Sequence, residues 1–218
     1  KGTMTEKAEE KQYRCPGESY TISDSVCRGR QRVNYPKCNV CLEKVEPGGF
    51  AQSHAEPKLS INIFKSYDIR GKYPSELNDT TAHKIGTSIA LFFREKNPDV
   101  KNIVVGRDMR LSSKSLANAL IEGLCTAGLN VINVGVVSSE MTYFAVGHYK
   151  YDGGVMVTAS HNPAEYNGFK LCREQAIPVS FETGIDRISK LTKQYHPLRG
   201  EHLGKVIVSD IFVDYKKH

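Results

Sequence analysis

The chain has 218 residues, 39% of them hydrophobic and 25% charged, with a formal net charge of +6. That length suits one domain of roughly 100–200 residues plus a remainder, and the composition excludes the disordered, collagenous and disulfide-dense classes. No apolar run approaches the roughly 18 residues a bilayer span requires and the start carries no apolar leader stretch, so no membrane partner and a cytoplasmic location are expected.

Residues 1–57 read as a small Cys-rich module and linker. Cys15, Cys27, Cys38 and Cys41 form the pattern C-x11-C-x10-C-x2-C, in which only the last pair has the spacing of a zinc ribbon. A structural Zn2+ held by all four thiolates would tie together a segment too short and polar to build its own core. Free thiols are an alternative, as are disulfides, which a cytoplasmic chain disfavours. The stretch Arg28 to Tyr35 is basic, but residues 1–59 carry ten basic against eight acidic side chains. That balance does not point to nucleic acid as a partner.

The main domain is expected over 58–204. Asn78 or Asp79 can cap a helix whose Ala82, Ile85, Ile89, Phe92 and Phe93 fall on one face and which ends before Pro98. Residues 101–106 read as a buried strand. Ser112 or Ser113 opens a second helix, carrying Leu116, Leu120 and Leu124 and stopped by Gly128. A strand at 129–134, a short helix at 139–149, strands at 154–158 and 168–171 and a helix at 181–194 follow. Residues 205–218 look like the start of a second domain. Strands spaced by helices indicate an α/β class, a three-layer α/β/α domain with a mainly parallel or mixed sheet. Ligands of such sheets bind at the carboxyl ends of strands, which directs attention to the loops after Val105 and Val157. Cys125 and Cys172, on a predicted helix and strand, read as buried small hydrophobes.

The loop after Val157 is TASHNP at 158–163, followed by YNGFK at 166–170. On residue types alone Ser160, His161 and Asn162 before Pro163 are turn formers, and Asn167-Gly168 permits a reversal with positive φ. On composition alone Arg70 and Lys170 are solvated charges, and Tyr67 is a half-buried packing residue. Arg107, Asp108 and Arg110, in the loop after Val105, read either as braces of the loop after Val157 through an ion pair, the favoured reading, or as ligand contacts.

The TASHNP and YNGFK segments together resemble the phosphoserine loop of the alpha-D-phosphohexomutases, the phosphoglucomutase and phosphomannomutase superfamily. IFKSYDIRG at 63–71 and VGRDMRLS at 105–112 resemble two further motifs of that family, in the family's order. The YDIRG variant is similar to the bacterial phosphomannomutase/phosphoglucomutase branch. The resemblance runs from about Ile61 onward and leaves residues 1–59 unexplained.

It implies an enzyme that interconverts hexose 1- and 6-phosphates of mannose, glucose or both. Ser160 would be the phosphorylated carrier, and a hexose 1,6-bisphosphate the intermediate and activator. Lys170 would be an acid/base or electrostatic group, Arg70 a phosphate-side cation, and His161 and Tyr67 neighbours of the reacting groups, Tyr67 toward substrate. Mg2+ would bind between the Ser160 phosphate and an Asp-Gly-Asp-type loop of a second domain, which this sequence lacks. The chain is therefore expected to be a fragment whose partners are the remaining mutase domains. The rival reading is a non-catalytic zinc-ribbon and sugar-phosphate binding module.

Overall fold

The computed structural model describes residues 12–13, 22–23, 61–196 and 203–218. The chain divides into two units, Lys1–Glu56 and Pro57–His218. In the first, β1 (Gln12–Tyr13) pairs antiparallel with β2 (Ile22–Ser23). Cys15, Cys27, Cys38 and Cys41, expected to hold zinc, and the basic stretch 28–35 lie outside the described residues.

The second unit is built on a six-stranded mixed sheet of β3 (Ile69–Lys72), β4 (Asn102–Arg107), β5 (Asn130–Val136), β6 (Gly153–Val157), β7 (Tyr166–Arg173) and β8 (Val206–Val208). The strand order is β3-β7-β6-β4-β5-β8. The run β6-β4-β5-β8 is parallel, whereas β7 is antiparallel to both of its neighbours. The connection 158–165 is too short for a parallel crossover, which takes about a dozen residues or more, so β6 and β7 meet as a hairpin. Val206–Val208, read from the sequence as the opening of a further domain, pairs in parallel with Val131–Asn133 of β5 at the sheet edge.

Helix α1 (Asp79–Lys96) forms as its spacing predicts. The five apolar residues named above are all buried, and the Asn78 Oδ1 accepts the Thr81 N–H at 2.9 Å, the expected N-cap. The other α-helices among the described residues are α2 (Ser113–Thr126), α3 (Ser139–His148), α4 (Asp186–Lys193) and α5 (Phe212–Lys217). The helix predicted over 181–194 is divided. A π turn at Phe181–Ile185, opened by a reciprocal Ser180–Thr183 capping box, precedes α4, and Gly184 at φ 177 interrupts the helical run.

Because side chains alternate across a strand, β4 supplies both faces of the sheet. Ile103 and Val105 enter a core shared with Ile85, Ile89, Leu116, Leu120 and Ile188 of α1, α2 and α4. Val104 enters a second core with Ala145 and Val146 of α3, Cys172 of β7 and Ile211 before α5. These two cores separate the three α/β/α layers. Among the described residues no helix is long and apolar enough to cross a membrane.

Candidate functional site

The parallel strands β4 and β6 end side by side, with Arg107 opposite Val157, so their loops emerge together at the carboxyl edge of the sheet. Asp108 follows β4 directly, its N–H bonded to the Val157 carbonyl at 3.0 Å. Thr158 follows β6, and its N–H donates to the Gly168 carbonyl at 3.0 Å. Three segments remote in sequence thus converge on one carboxylate.

Asp108 Oδ2 accepts the Thr158 hydroxyl at 2.7 Å, and that same hydroxyl oxygen accepts the Ser160 N–H at 2.9 Å. Asp108 Oδ1 accepts the Ser113 hydroxyl at 2.5 Å and the Arg110 N–H at 3.0 Å. The fully buried Asn167 side chain donates to Ser112 Oγ at 2.8 Å and to Ser113 Oγ at 2.9 Å, and its Oδ1 accepts the Gly168 N–H at 2.8 Å. Buried polar groups persist where each finds a partner, and here the partners link β4, β6, β7 and the start of α2. Ser112 accordingly makes no side-chain cap to α2, its hydroxyl being engaged by Asn167.

Above this network lies the loop 158–163. Ser160 is exposed and adopts φ 53, a left-handed conformation that costs an L-residue about 1–2 kcal/mol. Asn162 stabilises the turn by donating both its N–H, at 3.0 Å, and its side-chain amide, at 3.1 Å, to the Ala159 carbonyl. Arg110 reaches across from the β4 loop. Its Nη2 donates to the Ser160 and Asn162 carbonyls at 2.8 and 2.7 Å, and its Nη1 to the Pro163 and Tyr166 carbonyls at 2.7 and 3.2 Å. Its Nε lies 3.3 Å from Asp108 Oδ2. The bracing expected of Asp108 and Arg110 takes this form, whereas the Arg107 side chain, among the described residues, donates only to the Asp108 carbonyl, at 3.3 Å.

The positive φ expected near Asn167-Gly168 belongs to Ser160 instead. Asn167 and Gly168 lie inside β7, and the glycine is needed for space: a Cβ there would come within 2.1 Å of the Ile69 carbonyl oxygen on β3. That close approach sets Arg70 directly opposite Gly168.

Arg70 and Lys170 share the α3 face of the sheet, since Ile69, Phe169 and Leu171 point into the opposite core. Arg70 is ion-paired with Asp68, and its buried Nε has no hydrogen-bond partner among the described residues. Lys170 is half-buried and sits opposite Met156 in register. The Ser138 hydroxyl, the Glu140 N–H and the Lys170 ammonium together hold the Glu140 carboxyl below its ordinary range. Burial above all, then the charges of Cys172, Glu140 and Asp68, pushes the Tyr143 phenol up to about 12. Arg70 and Asp68 thus form an ion pair, and the charges of Lys170, Glu140 and Asp68 act on the Glu140 carboxyl or the Tyr143 phenol; Glu140 and Tyr143 carry no signal in the sequence. His161 is exposed, and Tyr67 is 80% exposed. Neither bonds the Ser160 hydroxyl among the described residues.

An apolar cleft of about 480 Å3 opens beside this site between Asp108, Met109, Val136, Met141 and Phe212. It does not include Ser160. Asn167, Ser112 and Ser113 escaped the sequence reading as site residues. Ser112 and Asn167 do lie within the VGRDMRLS and YNGFK motifs, and Ser113 stands at a helix start, but their partnership is visible only in the fold.

A mixed sheet between two helical layers, with an exposed serine just after the parallel strand β6, defines an α/β/α domain. The family model for phosphoglucomutase/phosphomannomutase, alpha/beta/alpha domain I, matches residues 62–198, and the chain belongs to that family. A phosphomannomutase of Vibrio cholerae is 42% identical over 158 residues, covering 72% of this chain and 34% of the relative. A phosphomannomutase of Klebsiella pneumoniae is 42% identical over 159 residues, covering 71% of this chain and 98% of the relative. The crystal structure of a phosphoglucomutase/phosphomannomutase family protein from Burkholderia thailandensis superposes with a TM-score of 0.63 at 31% identity, over 72% of this chain and 35% of that one. The chain thus spans about a third of the length of the Vibrio and Burkholderia relatives.

Proposed function

We propose that this chain carries the phosphoserine domain of a phosphohexomutase, an isomerase that interconverts hexose 1-phosphate and hexose 6-phosphate. The observation that carries the reading is Ser160, exposed in a left-handed turn at the carboxyl end of β6 within the segment matched by the family model. In the working form Ser160 Oγ bears a phosphoryl group. The P–Oγ bond breaks as a hexose-phosphate hydroxyl bonds to phosphorus and gives up its proton. The resulting hexose 1,6-bisphosphate reorients, and its other phosphoryl returns to Ser160 with the reverse proton movement.

Such transfer asks the protein for alignment and charge stabilisation more than for covalent chemistry. Lys170 serves as acid/base or electrostatic group and Arg70 as a cation for phosphoryl oxygens. His161 stands beside the phosphoserine and Tyr67 meets the substrate. The ion pair of Arg70 with Asp68 supports its role, because a carboxylate holds that cation in place.

Mg2+ is the cofactor this reading implies, and it demands near-octahedral oxygen coordination. Among the described residues no group of three or more His, Cys, Asp or Glu is arranged to hold a metal. They do not form its shell, Ser160 contributing one side at most, so no step is routed through the ion. Structural Zn2+ at Cys15, Cys27, Cys38 and Cys41 remains the proposal for the first unit, as does a cytoplasmic location.

The test is a coupled assay with mannose or glucose 1-phosphate, Mg2+ and a trace of hexose bisphosphate, on a polypeptide that joins this chain to the remaining mutase domains. Ser160→Ala is expected to remove nearly all turnover. Retained activity in that variant overturns the phosphoserine role, and inactivity of the folded parent favours the non-catalytic binding module.

A further inference from the structure

We propose that Arg110 is a positioning residue for Ser160, its guanidinium fixing the serine peptide in the left-handed conformation at the end of β6. The importance of this for phosphoryl transfer rests on the reading of Ser160 given above. The conformational claim stands on geometry alone.

An L-residue stays at positive φ only where its surroundings over-determine it. Both peptide planes that flank the Ser160 Cα are held: the N–H by the Thr158 hydroxyl and the carbonyl by Arg110 Nη2. The second restraint is the larger, because Arg110 gathers four carbonyls of 160–166 onto one cation. Carbonyl oxygens brought that close repel one another unless a positive charge lies between them. The Arg110 side chain is only 16% exposed and is itself steadied by Asp108, so solvent does not replace it. Its planar fork matches the four directions at once, which the point charge of a lysine does not. A displacement of about 1 Å in such a site is worth about 100-fold in rate.

The test is NMR on the isotopically labelled 218-residue chain. Positive φ brings a residue's own amide and α protons close together, giving an intense intraresidue cross-peak. Wild type is expected to show it at Ser160. Arg110→Ala is expected to lose it and the slow exchange of the Asn162 and Tyr166 amides while β4, β5 and β6 stay protected. Methylguanidinium added to that variant restores the peak. An unchanged Ser160 peak in folded Arg110→Ala overturns the proposal. Should the alanine variant lose sheet protection, Arg110→Lys decides: loss of the peak supports the fork and retention overturns it.

In the polypeptide that supplies the other mutase domains, Arg110→Ala lowers kcat about 100-fold with KM little changed, and an unaltered kcat overturns the positioning role. The NMR result does not depend on whether Ser160 carries phosphate. A lost cross-peak alongside an active Ser160→Ala would therefore sink the phosphoserine reading and leave this inference standing.

Discussion

Thr158 and Asp108 stand fifty positions apart in the chain, yet the threonine hydroxyl donates to the aspartate carboxylate at 2.7 Å while accepting the N–H of Ser160. One carboxylate thereby restrains the loop after β6, the loop after β4 and the start of α2. Asp108→Asn would turn an amide N–H toward one of the donors it now accepts. A hydrogen bond to a charged group contributes about 1.5–3 kcal/mol, and the substitution is expected to lower the urea-unfolding free energy by that much. A variant within about 0.5 kcal/mol of wild type, the usual spread of a surface change, would show that the network carries no such load.

The left-handed Ser160 separates stability from activity. Both Ser160→Ala and Ser160→Gly remove the hydroxyl, so neither is expected to transfer phosphoryl groups. Glycine adopts φ 53 without the Cβ penalty, so Ser160→Gly should be more stable than Ser160→Ala by about 1 kcal/mol. Paired denaturation curves decide this, and an alanine variant as stable as the glycine one contradicts the strained geometry.

Gly168 is a matter of space. A methyl group would stand 2.1 Å from the Ile69 carbonyl oxygen and 3.1 Å from the Arg70 Cα, both backbone atoms that cannot swing aside. Gly168→Ala is expected to cost about 1–3 kcal/mol and to displace β3, so thermal unfolding should fall and turnover with it as Arg70 moves. Unchanged melting would mean that β3 and β7 are not packed this closely.

Cys172 gives a pH dependence. Burial pushes its thiol up to about 12 from an ordinary 9.0. Below about 9 the thiol is neutral in both folded and unfolded chains, and its contribution is fully present. Between about 9 and about 12 only the unfolded chain ionises, so stability falls as pH rises. The difference in unfolding free energy between wild type and Cys172→Ala should therefore shrink from pH 8 to pH 10.5. A constant difference argues against a buried thiol. At pH 8 a thiol reagent should reach Cys172 only through unfolding.

Much of this molecule was legible from local pattern. The helices α1 and α2, the strands β4 and β6 and the serine loop each announce themselves within a few residues, because 3.6-residue periodicity, β-branched runs and capping residues act at short range. Motif resemblance pointed to Ser160, Arg70 and Lys170. Spacing alone left them as turn formers and surface charges.

Tertiary structure alone decided the rest. The insertion of β7 between β3 and β6, the seat of β8 beside β5, the left-handed Ser160 and the convergence of Arg110 on four carbonyls all depend on partners that the chain brings together from far along its length. Gly168 was read as a turn glycine because Asn-Gly usually marks one, and only the approach of β3 shows that it serves packing. Local sequence carries the propensity of each segment. Which backbone groups lie within hydrogen-bonding reach of a given side chain is settled by the packing of the layers, and at this site those contacts do the organising.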